Sequence, residues 1–284
     1  MGIITSGTGL GGMAWAPFLR YFITAIGFRN TLRVTGLVAV IMIAMSASVL
    51  TEAKDSTADL APAEPGRGTG HRPALPRVNW QIVRSNAFIA HACGTALQAA
   101  AYMIPVYFMS SYARTLGYSN TAGANIIALS SACNSGGKVI IGHLADQFGR
   151  LNALVLSTFV SAVITFGLGY VSSTQIDIDL HRILFIAYAC IYGVSAGAYV
   201  SLFPAALAEQ FGIRDIASIS GLLYMIRGFG TLVGTPVGGA LVQHITGLRD
   251  AASSFDRMFL LVGSLLSGST ISVAWARSIK AWSE

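Results

Sequence analysis

Long apolar runs without a single charge constrain this chain more than any other feature. Residues 34–51, 85–113, 151–176 and 183–208 each pass without an Asp, Glu, Lys or Arg. Crossing a bilayer core takes about 20 predominantly apolar residues in a helix. Backbone groups in lipid have no water to bond to, so each span must satisfy its own. The runs therefore predict membrane-spanning α-helices, in an all-α polytopic membrane protein. Eight spans are expected, near 2–26, 30–50, 85–110, 121–143, 151–172, 182–208, 218–245 and 256–278. Only 11% of the residues are charged, against roughly 25% in soluble chains, which excludes an ordinary soluble domain.

One segment breaks the pattern. Residues 51–84 hold Pro62, Pro65, Pro73 and Pro76 among glycines and charges of both signs. Such a composition cannot bury a core and reads as a flexible linker. It divides the chain into a two-span N-terminal piece at 1–50, the linker at 51–84, and a six-span bundle at 85–284. Loop charge then gives orientation, since Lys and Arg collect on the cytoplasmic side. If the linker is cytoplasmic, its face carries Lys54, Arg84, Arg150, Arg214 and Lys280, among others, and the opposite face carries fewer bases. Arg29 and Arg33 run against that bias.

Several function classes lack their residues. The net charge of +6 is scattered over loops, with no basic stripe interleaved with aromatics, so no nucleic-acid partner is expected. The histidines form no HxxxH or HExxH pair, and no CxxC occurs, so no metal site is expected. Cys93, Cys133 and Cys190 fall inside spans and read as small core residues. Gly137-Lys138 resembles the end of a phosphate loop, but Ala132 and Val139 break that pattern and no strand precedes it. With no paired acids or nucleophile triad, no enzyme and no cofactor are expected. The N-terminus has no charged region before its apolar run and does not read as a cleaved signal. Gly193 and Gly197, like Gly234 and Gly238, stand four apart on one helix face, where neighbouring backbones can approach closely.

Between two of the apolar runs lies Gly142-His-Leu-Ala-Asp-Gln-Phe-Gly-Arg150, an acid, two glycines and a terminal base in a tight membrane-face turn. This stretch resembles the signature loop of the major facilitator superfamily, which runs roughly G-x-L-A-D-R/K-x-G-R/K. Gly142, Leu144, Ala145, Asp146, Gly149 and Arg150 match, and Gln147 stands where a base is usual. Further stretches are similar to fungal monocarboxylate-transporter-like proteins. They are the opening glycine run with Ile26-Gly27-Phe28 and Arg33, residues 102–113 with Leu116 to Ser119, residues 192–204, and residues 230–239. The resemblance implies the major facilitator fold, with this chain looking like spans five to twelve of a twelve-span protein and the first four spans missing.

Five groups of residues are candidates for chemistry. Asp146 and Arg150, with Gly142 and Gly149, would by the resemblance form a gate that holds one access state closed; a solvated turn is the alternative. Lys138 lies inside a span, with Asn134 one turn earlier on the same face. The family's acid and arginine, four apart, match Asn134 and Lys138. The cation either faces a cavity and an anion or snorkels to the interface; Asn134 cannot titrate. Arg227 lies deep in its span and could bind an anion or a partner acid. His91 is either a proton relay or a hydrogen-bonded packing residue. Tyr102 is given a cavity role.

Together these imply a secondary transporter of small organic solutes, carboxylates or related anions, working by alternating access. Its partners would be the solute, with a proton on the family mechanism, and the lipid of the plasma membrane. The alternative is a transport-incompetent fragment of such a protein, from a truncated reading frame or a pseudogene.

Overall fold

A computed structural model describes residues 2–49, 80–174, 177–212, 216–242 and 255–281, and no strand occurs among them. The helices are α1 (Gly2–Ile26), α2 (Phe28–Val49), the short α3 (Trp80–Val83), α4 (Asn86–Thr115), α5 (Asn120–Phe148), α6 (Arg150–Ile164), α7 (Val171–Thr174), α8 (Ile178–Phe211), α9 (Ile216–Leu241) and α10 (Asp256–Ala281). A π-helical turn over Thr165–Tyr170 joins α6 to α7, so these form one rod. Among the described residues, eight long rods stand where eight spans are expected. Six of these, among the described residues, are long and apolar enough to cross a membrane by length and composition: α2, α4, the α6–α7 rod, α8, α9 and α10. The other two, α1 and α5, carry the glycines, hydroxyls and Lys138 that lower their hydropathy.

Local chemistry marks the ends of these rods. Ser85, Ser119 and Asp177 each accept a backbone N–H at a helix start, from Phe88, Ala122 and Asp179, meeting one of the donors a helix leaves open there. Arg182 donates from Nε and Nη2 to Leu116 O, both at 3.2 Å. A cation thereby closes the carboxyl end of α4.

The chain packs as two units. Phe18–Arg77 is one; in it, α1 turns into α2 at Gly27, whose φ of 79° suits glycine. Met1–Pro17 and Val78–Glu284 form the other. Association of helices in lipid rests on close packing and interhelical bonds, not on apolar burial, and this second unit is built accordingly. On α8, a Cβ at Gly193 would lie 2.5 Å from Ser130 O of α5; on α9, one at Gly230 would lie 2.5 Å from Ala96 O of α4. Gly234 and Gly238 continue the second seam against Ala100 and Ile104. The paired glycines are therefore contact surfaces. On the α6–α7 rod, Ser157, Thr158, Ser161 and Thr165 bond back to carbonyls three or four residues earlier, and Ser161 reaches Ser195 Oγ of α8 at 2.9 Å.

Two apolar layers fill the bundle. Tyr112, Phe185, Tyr188, Phe255 and Phe259 meet edge to face in one. Phe88, Leu154, Tyr199, Phe203, Leu207 and Leu223 fill the other. The cysteines depart from expectation: Cys93 is exposed, and Cys133 and Cys190 are only partly buried. A small side chain on a lipid-facing arc needs no core, which the run of apolar neighbours conceals.

Candidate functional site

Lys138 sits 19 residues into α5 by its number and is 3% exposed. Its ammonium does not run to the helix end. Nζ donates to Thr8 Oγ1 at 2.5 Å and to Thr5 O at 3.2 Å, both on α1. Thr8 Oγ1 in turn donates to Thr5 O at 2.8 Å, which closes a triangle of polar atoms. One turn earlier, Ser135 Oγ donates to Ser6 O at 2.9 Å. An ammonium has three donors, so one N–H of Lys138 is left without a partner among the described residues.

Beside this triangle lies a cavity of about 170 Å³, lined by Thr8, Gly9, Tyr102, Ser131, Asn134 and Lys138, among others. Asn134 Nδ2 donates to the Tyr102 hydroxyl at 3.4 Å. Gly197 of α8 makes room for that amide, because a Cβ there would overlap the Asn134 side chain. Tyr102 O accepts from the Tyr192 hydroxyl at 3.4 Å, so α4, α5 and α8 meet here. Three of the expected residues, Lys138, Asn134 and Tyr102, are thus together. No acid lines this cavity among the described residues.

Arg227 of α9 lies apart from that lining. Its guanidinium stands 5.7 Å over the Tyr199 ring, at cation–π range, and Nη1 is buried with no partner among the described residues.

His91 is fully buried at the start of α4, about 16 Å along the axis from Tyr102. Its Nε2 meets Gln210 Oε1 at 2.5 Å, and Gln210 Nε2 donates to Ala276 O at 3.1 Å. The amide is thereby oriented, so Nε2 carries the proton in the neutral ring. Nδ1 then remains as an acceptor without a partner among the described residues. Phe203 and Phe211 stand edge-on to the ring. His91, Thr95, Gln98 and Tyr102 recur at spacings of four, three and four along one face of α4, and the first three are buried.

The nine-residue stretch from Gly142 is mostly helix. α5 runs on to Phe148, and Gly149 alone makes the turn, with φ of 90°. Arg150 opens α6, and its Nε lies 3.6 Å from Asp146 Oδ1 across the turn, with both groups exposed. Gln147, in place of a base, pairs with His143 at 3.3 Å. Gly142, His143, Asp146 and Arg150 line one wall of a cleft of about 640 Å³, and Ser201, Pro204 and Ala208 of α8 with Ile216 of α9 line the other. The motif therefore faces the last turns of α8 and the first residue of α9.

Sequence reasoning missed Thr5, Ser6, Thr8 and Ser135. The signal was present in Thr5-Ser-Gly-Thr8, three hydroxyls within one turn in a run free of charge.

The sequence profile described as the Major Facilitator Superfamily matches residues 1–235. The chain is 26% identical over 282 residues to an MFS-type transporter of Gibberella moniliformis, covering 98% of this chain and 60% of that protein. It is 27% identical over 282 residues to monocarboxylate transporter 11 of Homo sapiens, covering 98% and 56%. With the MFS-type transporter pynF of Aspergillus niger it shares 25% over 244 residues, covering 86% and 52%. The chain thus spans a little over half the length of the curated relatives it matches.

Proposed function

Because the chain belongs to the Major Facilitator Superfamily, we propose that it serves secondary active transport of small organic solutes, carboxylates or related anions, across the plasma membrane. Transport proceeds by alternating access about a site between helical bundles. One observation carries the anion reading: Lys138 is a buried cation with a donor to spare, beside a cavity that no acid lines among the described residues. A cation at the centre of a membrane helix costs about 2.5–3.5 kcal/mol on insertion scales, and an anionic solute offsets that cost. Asn134 and Tyr102 add polar contacts to the bound solute, and Arg227 adds a second positive field. The names of the relatives are those of transporters, not enzymes.

On this reading Asp146 and Arg150, set by Gly142 and Gly149, stabilise one access state through the cleft they line. Asn134 stands at the place of the family's acid and cannot titrate, so His91 is the candidate for carrying a coupled proton.

Uptake of labelled organic anions into vesicles at two proton gradients tests this reading. Lys138→Ala and Arg227→Ala are each expected to lower uptake roughly tenfold or more, the scale of a lost hydrogen bond to a charged group, with membrane insertion retained. Unchanged uptake in both overturns the anion site.

A further inference from the structure

The tie between α1 and α5 includes interlocked bonds. Lys138 Nζ is held by Thr8 Oγ1 and Thr5 O, and Thr8 Oγ1 is itself bonded to Thr5 O. Ser135 Oγ binds Ser6 O, and Gly9 brings its backbone so close that a Cβ there would lie 2.8 Å from Ser135 Cβ. No acid occurs anywhere in α1. The helix therefore offers a full positive charge only a hydroxyl and a carbonyl. The ammonium's bond to the hydroxyl is already charge-assisted; a carboxylate adds to it the attraction of a full opposite charge, which a hydroxyl lacks. Thr8 and Lys138 both line the cavity, so a solute there reaches the ammonium beside the oxygen that already occupies it.

We propose that Thr8 is a displaceable stand-in ligand: a carboxylate takes its place on Lys138 Nζ and thereby breaks the bonds that tie α1 to α5. This rests on Lys138 being the anion site and adds the link from binding to helix movement. A ligand shifts a conformational equilibrium only by its differential affinity for the two states. Here that difference is the gain of a charged acceptor over a neutral one. A neutral amide of the same shape gains nothing over the hydroxyl and leaves the triangle closed. The triangle is thus an anion filter as well as a latch: one carboxylate oxygen takes the spare N–H of Lys138 while the other competes with Thr8 Oγ1 for its donor, and that competition lowers apparent affinity.

The test uses the protein in lipid vesicles, with labelled propionate as the anion and propionamide as its neutral counterpart. Thr8→Val removes the acceptor at nearly constant shape and is expected to lower KM for propionate about three- to tenfold, the scale of one hydrogen bond, with a reduced kcat. Thr8→Ser keeps the hydroxyl and should match the parent. A second readout follows the seam itself. With Cys93, Cys133 and Cys190 replaced by Ala, maleimide labelling of Ser135→Cys should rise with propionate and not with propionamide. In the Thr8→Val background it should be high without either.

Labelling indifferent to propionate overturns the proposal, as does a raised KM in Thr8→Val, which would make Thr8 an ordinary solute ligand. Thr8→Ser behaving as Thr8→Val also overturns it. If Lys138→Ala abolishes uptake while Thr8→Val behaves as the parent, only the stand-in ligand fails. If Lys138→Ala changes nothing, the anion site itself fails.

Discussion

At Lys138, a charge inside a span finds its partners on a helix 130 and 133 residues earlier in the chain. The residue's need for a partner was legible in the sequence, because a cation amid apolar neighbours demands one. Which partner it takes was not, since oxygens on α1 and a route to the helix end both satisfy that demand. Asn134 was legible for a different reason, lying one turn from Lys138 on the same face. Its bond to Tyr102 depends on Gly197, a residue of another helix. Asp146 and Arg150 form a 3.6 Å pair with both groups exposed, and exposed pairs contribute roughly 0–1 kcal/mol. Asp146→Asn is therefore expected to leave thermal stability in detergent nearly unchanged while altering transport rate with solute preference retained. A changed solute preference in uptake competition would count against a gating role.

Among the helices, the glycines separate contact from mere composition. Gly221 and Gly234 both lie on α9, but a Cβ at Gly221 meets nothing within 4 Å, whereas one at Gly234 would overlap the backbone of Ala100 on α4. Gly221→Ala should be neutral or slightly stabilising, by about 0.5–1 kcal/mol, through helix propensity. Gly234→Ala should destabilise by about 1–3 kcal/mol, the usual cost of overpacking. Thermal unfolding of the two variants checks the contrast, and equal effects would show that α4 and α9 do not meet at this seam. The four-residue spacing of Gly234 and Gly238 pointed to such a face. It did not say which helix lies against it, because every neighbouring rod in lipid is equally apolar. The π-helical turn over Thr165–Tyr170 had no counterpart in the apolar pattern. It falls where Gly169 admits Phe259 and Tyr188, a contact with distant elements.

Taken whole, on the proposed six-span plan the rods from α4 to α10 make an even number of crossings, so both ends of this bundle reach the same membrane face. Gly149 and Gly212 then lie on that face, and Gly117 on the other. Tags placed after Ala281 and at Gly212 should be labelled from one side of sealed vesicles, and a tag at Gly117 only from the opposite side. Labelling of the Gly117 and C-terminal tags from one side would refute the six-span count. Together with Lys and Arg counts in the loops, the same experiment reports whether the linker-proximal face is cytoplasmic.

What the sequence determined by itself was the solvent and the class of fold. Helix length, apolarity and the Gly142–Arg150 stretch are local properties, and a bilayer leaves a chain of such segments few structures to adopt. The tertiary structure decided which polar atoms meet: Lys138 with Thr5 and Thr8, Asn134 with Tyr102, and His91 with Gln210. Those choices depend on crossing points set by glycines on separate helices. In lipid, helix contacts are fixed by shape and a few hydrogen bonds, with no hydrophobic gain to mark one face over another.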